Sequence, residues 1–221
     1  MSNIFIISSC LKPKVGVIDH EVRYTQTLNT IKSIRDRVSD SIIVFVDSSP
    51  IPIDDDKLET IKHQVDYFVT LFNHSRALEM GEQGLKTPGE AYNMIVAFDI
   101  IRSNGLQNVQ RVFKITGRAE LTDDFHIEDY IDLGDKYIFK KRNASWMSPA
   151  LQLVDTRLWS FSFNMIEEVA NLMVNVYNEY FNTGWDMEHL VFKHIDKEKF
   201  VEKEVLGLKC QVSSDGRIQY D

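Results

Sequence analysis

Hydrophobic residues in this chain come first as short unbroken runs, and between the runs they recur at helical spacing. Ile4 to Ser8 is an apolar, β-rich run that Ser9 to Lys14 interrupts with a Cys-Leu-Lys-Pro loop, the pattern of a strand covered on both faces. From Tyr24 to Val38 the apolar positions are Leu28, Ile31, Ile34 and Val38, with Lys32, Arg35 and Arg37 between them; the three- and four-residue steps predict an amphipathic helix. Ser41 to Val46 is a second buried strand, closed by Asp47-Ser48-Ser49-Pro50. Ile53 to His63 opens with three aspartates, which favour a helix N-terminus, and Asp66 to Leu71 predicts a third strand. A glycine-dotted loop is expected from Asn73 to Pro88. It is followed by a helix over Gly89 to Ile101, on the stripe Ala91, Met94, Ile95, Phe98 and Ile101, and by a fourth strand, Val109 to Thr116, broken at Gly117-Arg118.

The remainder is mixed. Short strands are predicted at Tyr137 to Lys140 and Ala150 to Asp155, helices at Phe163 to Phe181 and Asp186 to Ile195, and two tail strands around the turn Ser214-Asp215-Gly216-Arg217. The order β-α-β-α-β-α-β followed by a mixed half predicts an α/β sandwich whose amino-terminal half has a mostly parallel sheet. Ligands of such sheets bind beyond the carboxyl ends of the strands. Those ends carry Ser8-Ser9-Cys10, Asp47-Ser48-Ser49, Asn73 to Arg76 and Gly117-Arg118.

Composition narrows the picture. With 221 residues, 43% of them hydrophobic, and no repeat or low-complexity linker, one domain over 1–221 is expected. Lys and Arg number 25 against 33 Asp and Glu, a net charge of −8, which argues against general nucleic-acid binding. Cys10 and Cys210 are expected to be buried free thiols. No apolar stretch reaches the roughly 18 residues that would span a bilayer, and the amino terminus lacks the pattern of a secretory signal, so a soluble, cytoplasmic protein without membrane insertion is expected.

The strand ends combine a carboxylate, Asp47, with the hydroxyls of Ser8, Ser9 and Ser48 and with the cations Lys114 and Arg118; Arg23, just after the first loop, is a third cation. A carboxylate can accept from a ribose hydroxyl or a base N–H, and guanidinium groups can meet phosphate oxygens. For each residue taken singly, a surface ion pair or a strand-end turn is the alternative. Neither glycine-rich nucleotide signature is present, which lowers the case for a dinucleotide oxidoreductase or a P-loop enzyme. Lys86 and Gly89 instead precede a predicted helix, where backbone N–H groups favour an anion.

The stretches Arg23 to Leu28, Thr30 to Ile34, Ile43 to Ser49, Gly89-Glu90-Ala91 and Phe113 to Arg118 resemble small glycosyltransferases of the GT-A type. Trp185 to Leu190, Leu206-Gly207-Leu208 and Asp215-Gly216 resemble that group's later motifs. The resemblance implies a three-layer GT-A-like sandwich, with a nucleotide-diphosphate sugar held by the half at about 1–142 and a glycan or small-molecule acceptor met by the half at about 143–221. It also implies a divalent cation, Mn²⁺ or Mg²⁺, on an Asp-x-Asp at the end of the fourth strand. Here Thr116-Gly117-Arg118 stands in that place, so Lys114, Arg118, Lys86 and Arg23 are candidates to compensate a diphosphate without metal. Asp123-Asp124 is the nearest hard-oxygen pair for a metal held elsewhere.

For the chemical step the resemblance favours Glu188 or Asp186 as the base, with His189 beside them packing. Lys140-Lys141-Arg142-Asn143 is the densest basic run, either a phosphate grip or a solvated loop. Trp146, Trp159 and Trp185 are candidate sugar platforms, Trp185 first because it adjoins the candidate base. A sugar-phosphate nucleotidyltransferase and a catalytically degenerate binding module are the alternative functions.

Overall fold

The computed structural model describes residues 1–148, 151–211 and 216–221. Its central sheet is built from β1 (Ser2–Ser9), β2 (Ser41–Asp47), β3 (Tyr67–Thr70), β4 (Val109–Thr116), β6 (Tyr137–Lys140), β9 (Leu158–Ser162) and β10 (Phe200–Lys203), in the order β10-β6-β9-β4-β1-β2-β3. β3, β2, β1 and β4 run parallel. β9 is antiparallel to both neighbours, and β10 lies parallel to β6. A small antiparallel sheet joins β5 (Ala119–Leu121), β11 (Leu208–Gln211) and β12 (Ile218–Tyr220), and β7 (Asn143–Ala144) pairs with β8 (Gln152–Leu153).

The side-chain alternation of β1 divides the core. Ile4 and Ile6 face α4 (Lys86–Ser103), α6 (Ile166–Thr183) and α7 (Met187–His194). Phe5 and Ile7 face α1 (His20–Arg37), α2 (Asp55–Lys62), the short α5 (Glu128–Ile131) and the small sheet. Two cores flank one sheet, so its inner strands are apolar on both sides, which is why they read as unbroken runs. This is the expected three-layer α/β sandwich.

The segment 73–88 departs from the expected loop. It holds α3 (Ser75–Gln83), ended by Gly84 in the left-handed conformation at φ 68°, and α4 begins at Lys86 rather than Gly89. Pro88 is tolerated because it sits in the first turn, where its missing N–H has no helical partner. Gly81 is a packing glycine: a Cβ there would lie 2.8 Å from Pro50 Cβ. β9 and β10 were not predicted. In β9 (LWSFS) the alternating serines are buried, Ser160 at 0% exposure accepting a hydrogen bond from Arg111 Nε at 2.9 Å, so a strand buried on both faces carries the pattern of a half-exposed one. The expected strand start at Ala150 and the first two positions of the turn at 214–217 lie outside the described residues.

Candidate functional site

The parallel topology brings the ends of β1, β2 and β4 to one sheet edge, where α4 closes a cavity lined by Ser8, Ser9, Arg23, Lys86, Gly89, Glu90, Asn93 and Arg118, among others. Asn93, on α4, ties the edge together: its Nδ2 donates to Ser8 Oγ at 3.1 Å, Ser9 O at 3.2 Å and Ser48 Oγ at 3.1 Å. The Ser9 carbonyl fixes this orientation of the amide, since the reverse would set two oxygens together. Asn93 Oδ1 is buried without a donor among the described residues. The sequence offered only a polar position on an otherwise apolar helix face, and Asn93 was missed.

Asp47 is present at this edge but turned inward. At 1% exposure, its Oδ2 accepts from Leu11 N and its Oδ1 from Ser49 N, both at 2.9 Å. The carboxylate therefore braces the loops after β1 and β2, and both oxygens are engaged away from the ribose or base expected there. Gly117 lies behind Ser9, its carbonyl accepting from Thr27 Oγ1 at 2.8 Å; a Cβ would lie 3.2 Å from Ser9 Oγ. Its role is close approach of two strand ends, and it does not line the cavity.

Among the described residues four cations line it: Lys14, which pairs with Glu82, and Lys86, Arg23 and Arg118. Arg23, on the first turn of α1, is only 7% exposed, with Nη1 donating to Cys10 O at 3.4 Å and Nε left without an acceptor among the described residues. Burial first, and the neighbouring Arg118 charge second, push its pKa below the usual arginine value. A guanidinium nevertheless stays protonated near neutral pH. Arg118, just past β4, donates from Nη1 to Gln211 O at 2.7 Å. Among the described residues neither arginine has a carboxylate within ion-pair distance. Exposed Lys86 at the start of α4 is likewise without an acid partner there.

Lys114 behaves differently. The alternation of β4 turns it to the α4 side, where it is 1% exposed, ion-paired with Glu90 and donating to Thr156 O at 2.6 Å. Its charge is neutralised within the protein, which corrects the expectation of a free phosphate cation. The Gly89 N–H donates to Leu85 O at 3.2 Å inside the helix, so Gly89 offers no free donor to an anion; its contribution is an open wall without a side chain.

Thr156 links this pair to Glu188. Its Oγ1 donates to Glu188 Oε1 at 3.0 Å. Burial above all, followed by repulsion from Glu90 and Asp186, pushes the Glu188 carboxyl up to about 7. Asp186 caps α7 instead: Oδ1 accepts from His189 N at 2.9 Å and lies 2.6 Å from His189 Nδ1. Trp185 is half-buried, with the Lys193 ammonium 5.5 Å from its ring centroid. In the basic run Lys141 pairs with Glu204, just past β10, and Arg142 with Glu202 of β10, so these two cations are spent on acids of this chain. Asp123 is exposed and paired with Arg37. No group of three metal-ligating side chains occurs among the described residues. At Thr116-Gly117-Arg118 the side chains offer a hydroxyl and a guanidinium and no carboxylate, the hard-oxygen ligand that divalent cations such as Mg²⁺ and Mn²⁺ favour.

No protein-family model matches the sequence, nor does any curated protein. Solved structures do match. The galactosyltransferase LgtC, in complex with donor and acceptor sugar analogs, aligns over 91% of this chain and 73% of its own, at TM-score 0.51 and 10% identity. A glycosyltransferase involved in glycosylation of the PBCV-1 major capsid covers 91% and 82%, at 0.50 and 11%. A nucleoside-diphosphate-sugar pyrophosphorylase from Vibrio cholerae covers 93% of both chains, at 0.51 and 11%. The fold is thus GT-A-like, an architecture common to sugar transferases and sugar nucleotidyltransferases.

Proposed function

We propose that this protein is a glycosyltransferase that moves a sugar from a nucleotide-diphosphate donor to a hydroxyl of a glycan or small acceptor. The observation that carries the reading is the pair Arg23 and Arg118, two guanidinium groups without carboxylate partners among the described residues, facing one cavity at the donor edge of a GT-A-like sheet. An arginine buried to 93% with an orphaned Nε is costly unless an anion completes it. In this reading the two arginines, helped by Lys86, take the charge that a divalent cation takes in relatives with Asp-x-Asp.

Transfer then follows from Glu188. In an inverting displacement the acceptor oxygen bonds to the anomeric carbon as the bond from that carbon to the diphosphate oxygen breaks. The hydroxyl proton passes to the Glu188 carboxylate, and the leaving diphosphate keeps the electron pair against the two guanidinium groups. A carboxyl near 7 is a stronger base than an exposed glutamate and is still substantially ionised at neutral pH. The donor belongs to the half at about 1–142 and the acceptor to the half at about 143–221.

Thermal shift with nucleoside mono-, di- and triphosphates and sugar nucleotides, each in EDTA and in Mn²⁺, tests the reading. Stabilisation by diphosphates and sugar nucleotides in EDTA is expected. No stabilisation by any nucleotide, or a preference for triphosphates, overturns it; the latter is the outcome a nucleotidyltransferase gives.

A further inference from the structure

The three tryptophans fall into three environments. Trp159 is 2% exposed and stacked on Phe139 with centroids 5.0 Å apart, a core residue. Trp185 is half-buried and has Lys193 over its ring. Trp146 is 71% exposed, in the connection between β7 and β8.

An exposed indole on a short hairpin is ordinarily loosely held, but this one is clamped. Met147 N donates to Ser145 Oγ at 2.9 Å, and Ser145 Oγ lies 2.6 Å from His189 Nε2. Because Asp186 only accepts, the network assigns the imidazole proton to Nδ1, so the Ser145 hydroxyl donates to Nε2. Ser145 and His189 are 9% and 2% exposed, and each has its hydrogen bonds satisfied within this chain. The order Asp-His-Ser is that of a hydrolytic triad. Here, however, the Ser145 oxygen is occupied by the Met147 N–H and nine-tenths hidden, so the three groups hold a loop. The Trp146 ring stands edge-to-face with His189, centroids 5.0 Å apart at 84°. At the far end of the hairpin Val154 N donates to Glu188 O at 3.4 Å. The hairpin is thereby fixed to the helical turn that carries the proposed base.

We propose that Trp146 is a stacking platform for one hexopyranose ring, the terminal sugar of the acceptor. A pyranose presents a face of C–H groups that an indole covers, while its hydroxyls stay in water. Among the described residues of this hairpin the large exposed apolar side chains are Trp146 and Met147, the latter at 48% exposure, enough for one ring and far short of the area of a stable protein interface. Naming that ring the acceptor rests on the transferase reading; the contact itself does not.

Saturation-transfer NMR with methyl gluco-, galacto- and mannopyranosides tests the platform. At least one glycoside is expected to receive saturation on its ring C–H protons, with the signal reduced at least fivefold in Trp146→Ala, largely kept in Trp146→Phe, and unchanged in Arg118→Ala. Absence of saturation for every pyranoside, or an equal signal in Trp146→Ala, overturns the proposal. Nucleoside diphosphates titrated into the same wild-type sample separate the two readings: sugar contact at Trp146 without nucleotide binding defeats the transferase alone, and nucleotide binding without sugar contact defeats the platform alone.

Discussion

A lysine ammonium at 1% exposure persists only with its charge met, and for Lys114 the partner is Glu90. Glu90→Gln leaves that ammonium buried against a neutral amide, and a loss of about 3 kcal/mol in urea denaturation is expected. Glu90 is also one of the charges that raise the Glu188 carboxyl to about 7. The same substitution is therefore expected to move the acid limb of the pH–rate profile below pH 7, whereas in wild type activity is expected to rise as Glu188 loses its proton through about 7. Stability has the opposite sign. A carboxyl near 7 in the folded state and near its ordinary 4.5 unfolded makes the folded state hold the proton more tightly, so stability falls as pH rises from about 4.5 through 7. Glu188→Gln is expected to raise the melting temperature over wild type at pH 8 and to match it at pH 4, with transfer lost at both. None of this coupling was legible in the sequence. Lys114, Glu90 and Glu188 are far apart along the chain, and Thr156, which touches both Lys114 and Glu188, carried no signal.

At the scale of elements, the inner strands and long helices were legible because burial on both faces or on one stripe is written directly into spacing. What failed had a physical cause in each case. Gly81 and Gly84 looked like loop residues, but one admits Pro50 at van der Waals contact and the other ends α3. β9 hid behind buried serines. Asp47, legible as a strand-end carboxylate, turned out to brace two loops, since nothing in its spacing distinguishes an inward from an outward side chain. Gly207 shows the strongest local demand: φ is +74° and a Cβ would lie 2.2 Å from Phe125 N. Gly207→Ala is expected to cost far more stability than Gly134→Ala, which shares a positive φ but meets nothing within 4 Å. Urea denaturation of the two variants checks the difference.

For the whole molecule, net charge and local charge point in opposite directions. The chain carries −8 overall, and the basic residues at Lys141, Arg142 and Lys114 are consumed by internal acids. Among the described residues Arg23 and Arg118 have no such acid, and the fold sets both at the cavity between the strand ends and α4. The likeness to a GT-A-type motif order, with Arg118 where an Asp-x-Asp is usual, was readable from residues alone; which cations stay unpaired needed three dimensions. In the proposed function these two arginines bind a diphosphate without help from a divalent cation. Calorimetric titration of uridine, guanosine and thymidine mono- and diphosphates into the protein in EDTA tests it most directly. One diphosphate is expected to bind at least tenfold more tightly than its monophosphate, and Arg118→Ala is expected to abolish the difference. Equal affinity for the two, or diphosphate binding that appears only when Mn²⁺ is restored, would contradict it.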